Sequence, residues 1–273
     1  RDWSVTGVQT CALPILAAGG IAVLSLPDLR RRLSRVLGLA YDPESPMHLT
    51  ALVLSGALLS FTISSLIAGG GVAGLADAIS QGGVPISRVF FQSLVWVLAA
   101  LLGVGLFIRR NPADTLKRLG LRRPSLFDLA AGAGAGLLLY GVALAGSIVW
   151  NVLATPELVA EQSAVSAALA QSMTGWLEAF LLSLLAAVSE EIFFRGALQP
   201  VFGLVPTALL FTALHVQYGF TPALVVLFVV SLGLGWIAQR RGTTTAIIAH
   251  FVYNFVQLAL VLTAASLLPP GAR

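Results

Sequence analysis

An all-α polytopic membrane bundle of about eight transmembrane helices is the fold class this chain predicts, and three observations carry the prediction. Hydrophobic residues make up 57% of the chain and charged residues only 10%, against about 25% charged in a soluble domain. The mean hydropathy is +0.90. Apolar runs long enough to cross a hydrocarbon core of about 30 Å recur between short basic loops. A pI near 9.8 would suggest a nucleic-acid partner for a soluble protein. Here the basic residues flank apolar spans and act as topology determinants, so the bilayer is the expected partner and nucleic acid is not. One cysteine, Cys11, leaves no intrachain disulfide framework and no thiolate-rich metal site. Any imidazole chemistry draws on His48, His215 and His250.

Residues 1–15, RDWSVTGVQTCALPI, resemble translated sequencing-adapter read-through and are set apart from the fold. The first span, 16–26, then meets Arg30, Arg31, Arg32 and Arg35, a basic flank that belongs on the cytoplasmic side. His48–Ala68 is the second span. The segment 72–87, with Asp77, Gly82, Gly83 and Pro85, is too weakly apolar to cross and reads as a loop or interfacial stretch on the opposite side. Val89–Ile108 crosses back. The stretch 109–123 carries six basic residues against Asp114 alone, and Asn111-Pro-Ala-Asp-Thr starts a short helix on the membrane surface.

Leu126–Leu153 is the fourth span, with Gly132 and Gly136 on a face that permits close helix approach. The segment 155–174 holds Glu157 and Glu161 and no basic residue, so it belongs outside. Leu177–Arg195 returns behind Trp176, an interfacial anchor. Leu204–Tyr218 is a short sixth span, Pro222–Ala238 a seventh and Thr245–Leu268 an eighth. Under this count every basic cluster falls on one face, and both termini lie outside. Trp96, Trp150 and Trp236 read as span-end anchors, Phe193 and Phe194 as lipid or helix contacts, and His48 as interfacial.

Three polar sets interrupt the last four spans. Glu191 and Arg195 are four residues apart with the acid first, the orientation in which helix neighbours pair. Glu190 points about 100° away and has no local partner. A carboxylate within a bilayer costs roughly 2.5–3.5 kcal/mol on insertion scales, so it needs something to face. His215 lies in Phe211-Thr-Ala-Leu-His215, and His250 and Asn254 share one helical face. Taken singly, these are also what a helix-end ion pair, a carbonyl-bonded histidine and interhelical polar contacts look like. Together, a carboxylate, two imidazoles and an amide around a wet hole supply a base for water, groups that orient it and an oxyanion donor. His215, His250 and Glu190 also have the donor types of a catalytic zinc site. With no HExxH present, the spacing leaves metal-bound and metal-free water open.

The order EExxxR at 190–195, FxxxH at 211–215 and HxxxN at 250–254 resembles the CAAX prenyl protease and bacteriocin-processing family of intramembrane proteases, also called the CPBP or Abi family. The likeness covers 173–265, a catalytic transmembrane core. It leaves 16–172 as N-terminal helices of the kind that vary across the family. It implies Glu190 as the base that activates water, Glu191 and Arg195 as its supporting pair, and His215 as a partner in activating or binding that water. His250 and Asn254 would stabilise the oxyanion. The family is commonly labelled metalloprotease, and zinc and a metal-free glutamate mechanism both remain open. The implied protein is a glutamate-dependent endopeptidase of a bacterial cytoplasmic membrane. It would cut a membrane-anchored peptide or protein near the cytoplasmic face; a bacteriocin precursor or an anti-sigma factor fits as well as a prenylated protein. The contrasting reading is a membrane scaffold, immunity protein or small transporter that uses the buried charges for binding or proton relay.

Overall fold

The computed structural model describes residues 26–37, 42, 44–173, 175–215 and 223–267. Residues 1–15, Cys11 among them, and nearly all of the first expected span lie outside them. Helices follow one another as α1 (Pro27–Leu37), α2 (Pro46–Ala68), α3 (Gly71–Gly82), α4 (Ile86–Gly103), α5 (Pro112–Arg118), α6 (Leu126–Leu153), α7 (Pro156–Ser172) and α8 (Trp176–Glu190). A π-helical segment (Glu191–Leu198) continues α8 into α9 (Gln199–Phe202). Then come α10 (Leu204–Ala213), α11 (Ala223–Arg241) and α12 (Thr243–Leu267). No strand occurs among the described residues.

Five of these helices, α2, α4, α6, α11 and α12, are long and apolar enough to cross a membrane. Only 11% of the apolar window of α2, α4 and α6 is buried inside the protein, against 33% for α11 and 28% for α12. Side chains such as Phe61, Leu138 and Val152 therefore stand exposed, which water would penalise and lipid tails accept. The three outer helices form a lipid-facing wall around α8, the π segment, α11 and α12. The chain is an integral membrane helical bundle.

The expected sixth span, Leu204–Tyr218, is described as far as residue 215, and its helix is α10. α10 has 10 residues, about 15 Å of rise, half of a hydrocarbon core. It ends at Ala213, where the ring of His215 takes up the Phe211 carbonyl and so satisfies one of the acceptors a helix end leaves free. The two segments expected as extramembrane stretches, 72–87 and 155–174, contain the helices α3 and α7. α3 and α7 pack together through Ala76, Ile79 and Ala168, at the end of the bundle opposite the arginines. Neither alone carries enough apolar surface to look like a span.

At the other end the basic loops meet. Asn111 caps α5 by accepting the Asp114 N–H. Ser125 and Asp128 form a reciprocal capping box at the start of α6. Arg122 donates two bonds of 2.7 Å to Asp128 and a third of 3.1 Å to the Arg241 carbonyl. Gly242 turns α11 into α12 at φ +88°, a conformation that glycine adopts without strain. Its neighbour Thr243 donates its N–H to the Gly120 carbonyl. Stretches 109–123 and 240–241 thus lie on one face, as a common side for basic clusters requires.

α6 and α12 pack closely because α6 presents glycine. A Cβ built on Gly132 would stand 2.8 Å from the Ile248 side chain, and one on Gly136 would stand 2.5 Å from the Ala249 carbonyl. Gly136→Leu is expected to cost about 1–3 kcal/mol through overpacking, read as a lower Tm in detergent. Gly134→Leu, where an added Cβ meets nothing within 4 Å, should leave Tm unchanged.

Candidate active site

The site is built where α8 changes from α- to π-helical winding, directly after Glu190. Pro200 has no N–H to give the carbonyl four residues earlier, that of Gly196. Arg118 from α5 fills the gap, donating Nη1–H to the Gly196 oxygen at 2.9 Å. Gly196 itself allows the approach, since a Cβ there would lie 2.9 Å from the Leu119 carbonyl. A freed carbonyl with a partner from another helix is a sufficient cause for wide winding.

All eight residues of the π segment are buried. Phe194 stacks edge-on with Trp96 and with Phe211, at ring separations of 5.3 and 5.0 Å. Trp96 is therefore a packing residue in the middle of α4 and not a span-end anchor. Phe193 and Phe194 contact helices and not lipid.

Arg195 and Glu191 are both buried, with Nη1 3.1 Å from Oε1. That contact is ionic and not a directed hydrogen bond, since Nη1 has no bonded acceptor. The guanidinium is held by other means. Nη2 donates to the Ser231 carbonyl at 3.1 Å and to its hydroxyl at 3.0 Å, and the guanidinium carbon lies 4.5 Å from the Phe211 ring centre. A buried cation needs such company.

The same Glu191 oxygen lies 2.8 Å from His250 Nδ1. A carboxylate only accepts, so in the neutral ring Nδ1 carries the hydrogen and Nε2 keeps its lone pair. His215 is arranged alike: Nδ1 donates to the Phe211 carbonyl at 2.7 Å, leaving Nε2 as acceptor. Both Nε2 atoms stand 4.0 Å from Glu190 Oε2, and that oxygen is buried without a hydrogen-bond partner. Glu190, Glu191, Arg195, His215 and His250 are thus one contiguous cluster contributed by α8, the π segment, the end of α10 and α12. Asn254 lies one turn beyond His250 on α12, half-buried, and hydrogen-bonds to no described residue.

Two nitrogens and an oxygen have the donor types for zinc, but their spacing does not match. Ligands about 2.0–2.2 Å from a tetrahedral zinc lie about 3.3 Å from each other, shorter than the 4.0 Å separations present. Among the described residues no three His, Cys, Asp or Glu side chains form a group that could hold a metal. A gap of 4.0 Å is wide enough for an oxygen about 2.8 Å from each side.

Three contributors were not singled out in the sequence: Ser231, Gln199 and Arg118. Ser231 is the lone polar residue in VVLFVVSLGLGW, a visible signal. Gln199 donates to the Gly235 carbonyl at 2.9 Å, and its place before Pro200 marks a helix irregularity. Arg118 had no signal beyond belonging to a basic stretch.

Residues 171–256 match the family described as Type II CAAX prenyl endopeptidase Rce1-like. No curated protein and no solved structure matches the chain. The match runs from the last residues of α7 through His250 and Asn254, over all six polar positions. It covers 86 of the 273 residues, and over them the chain is similar to that family of CAAX prenyl endopeptidases.

Proposed function

We propose that the protein is an intramembrane endopeptidase in which Glu190 takes one proton of a water whose other hydrogen is held by His215 Nε2, in the gap these two residues share with His250. The observation that carries this reading is the buried, unbonded Glu190 Oε2, 4.0 Å from the Nε2 atom of each imidazole. Buried polar atoms are nearly always satisfied, and a small polar gap is where an ordered water belongs.

The water oxygen attacks the scissile carbonyl carbon while its proton passes to Glu190, and Glu190 then returns that proton to the leaving amine. His215 orients the water through its fixed Nε2 lone pair. Glu191 and Arg195 position His250: the carboxylate holds Nδ1, and the arginine balances the carboxylate. With Nδ1–H engaged, a neutral His250 accepts at Nε2, so the neutral donor for the developing oxyanion is the free amide of Asn254.

Depth supports cleavage on the basic side. His250 is seven residues, about 10 Å, beyond Thr243 at the basic end, whereas Trp176 at the opposite end is about 21 Å from Glu190. By the excess of arginine that end is cytoplasmic. In a bacterial cytoplasmic membrane the substrate is then a membrane-anchored peptide or protein.

The test is cleavage of such a peptide by purified protein in detergent, comparing wild type with Glu190→Gln, His215→Ala and His250→Ala. Loss in all three with folding retained supports the reading, and wild-type turnover in Glu190→Gln overturns it. Chelation followed by zinc addition in the same assay reads whether the gap takes a metal. Asn254→Ala is expected to lower kcat by about 10²–10³-fold with little change in KM, the signature of a donor used only in the transition state.

A further inference from the structure

A second polar site lies on the basic face, next to the Glu190 cluster and sharing Arg195 with it. A cleft of about 260 Å³ opens between the α5–α6 loop, the π segment with α9, and the α11–α12 turn. Arg118, Arg195, Gln199, Gln239 and Thr243 contribute its polar side chains, and no carboxylate lines it. It is smaller than the range of about 300–1,000 Å³ usual for drug-sized ligands, so it fits a headgroup and not a peptide.

The charge around the cleft is unbalanced. Asp128 is taken by Arg122 and Glu191 by Arg195. Asp114, one turn before Arg118, is bonded by Asn111 and forms no ion pair with Arg118. Among the described residues Arg118 therefore has no acidic partner. It spends one N–H on the Gly196 carbonyl, and burial, with the Arg110 charge as a lesser cause, holds its pKa below the usual arginine value. A half-buried cation with unused donors beside a polar cleft is an anion site in want of its anion.

The rim says where the anion comes from. Leu116 on α5 and Trp236 on α11 are exposed within one turn of cleft residues on their helices, and Phe127 at the start of α6 is exposed seven residues after Gly120. Arg240 lies over the Trp236 ring and Arg241 over the Phe127 ring. Arginine and aromatic residues at one level mark the bilayer interface, and exposed apolar side chains there offer acyl chains a place to lie. A basic pocket between transmembrane helices at that level is built for a lipid phosphate.

We propose that this cleft binds the phosphate headgroup of an anionic phospholipid, with Arg118 as its principal cation. The inference does not rest on the peptidase reading, and its readout is binding alone.

Wild-type protein in detergent is titrated with dioctanoyl phosphatidylglycerol, with dioctanoyl phosphatidylcholine and with inorganic phosphate, and occupancy is read by native mass spectrometry. Phosphatidylglycerol should bind more tightly than either of the others. Arg118→Gln, which keeps a donor for the Gly196 carbonyl and removes the charge, should weaken it about fivefold. Arg118→Lys should retain it, Gln239→Glu should weaken it by a similar factor, and Arg88→Gln on the exposed start of α4 should leave it unchanged. Equal affinity for the two lipids overturns the proposal, as does phosphatidylglycerol binding unchanged in both Arg118→Gln and Gln239→Glu. Inorganic phosphate binding as tightly as phosphatidylglycerol overturns the lipid source.

Discussion

Glu190→Gln is expected to slow peptide cleavage by about a hundredfold to ten-thousandfold while the protein folds and runs as wild type in detergent. Glutamine has the shape of glutamate, so the packing around α8 is kept. Glu190 makes no ion pair closer than 4.0 Å and no hydrogen bond through Oε2, so removing its charge unbalances no buried partner. What is lost is the one carboxylate of the cluster that can accept a proton from water without giving up a structural contact. Glu191 cannot substitute, because its carboxylate is committed to His250 and Arg195. Cleavage rates, set against melting profiles of the same preparations, separate this outcome from simple misfolding.

The largest expected effect on stability is Arg195→Ala, at about 3–5 kcal/mol. Glu191 has no solvent exposure and would be left a buried charge with only an imidazole beside it. The substitution also strips Ser231 of two hydrogen bonds and removes the cation over Phe211. Arg195→Lys should rescue only part of the loss, since one ammonium cannot reach the Ser231 carbonyl, its hydroxyl and Glu191 in the planar arrangement a guanidinium offers. Pairing Arg195→Met with Glu191→Gln should be less damaging than Arg195→Ala alone, because no charge is then stranded. Unfolding midpoints in a denaturant titration order the three variants.

Much of the bundle could be read from residues. Hydropathy found the five long helices almost to their ends, Asn111-Pro announced α5, and the Gly132–Gly136 spacing announced the α6–α12 contact. The six polar residues stood out because carboxylates and imidazoles are expensive in apolar runs. Hydropathy overran at α10, because Leu214 and Val216 extend its apolar pattern while the helix closes on a side-chain cap. It also passed over α3 and α7, which cover each other and need no long apolar run. The π segment was hidden for a different reason. It carries the carbonyl that Arg118 reaches from 78 residues away, a tertiary contact with no local pattern. The role of Glu191 was hidden as well: helical spacing gave its partner Arg195, but only the fold brings His250 to the same oxygen.

Convergence of Glu190, His215 and His250 on one water is the claim from which the chemistry follows, and a double-mutant cycle on cleavage rate tests it most directly. Rates are measured for wild type, Glu190→Gln, His215→Ala and the double variant. Groups that act on one water fail together, so the double variant should be no more than about threefold slower than Glu190→Gln alone. Losses that multiply across the two sites would mean that the carboxylate and the imidazole work independently, and the shared water would have to be given up.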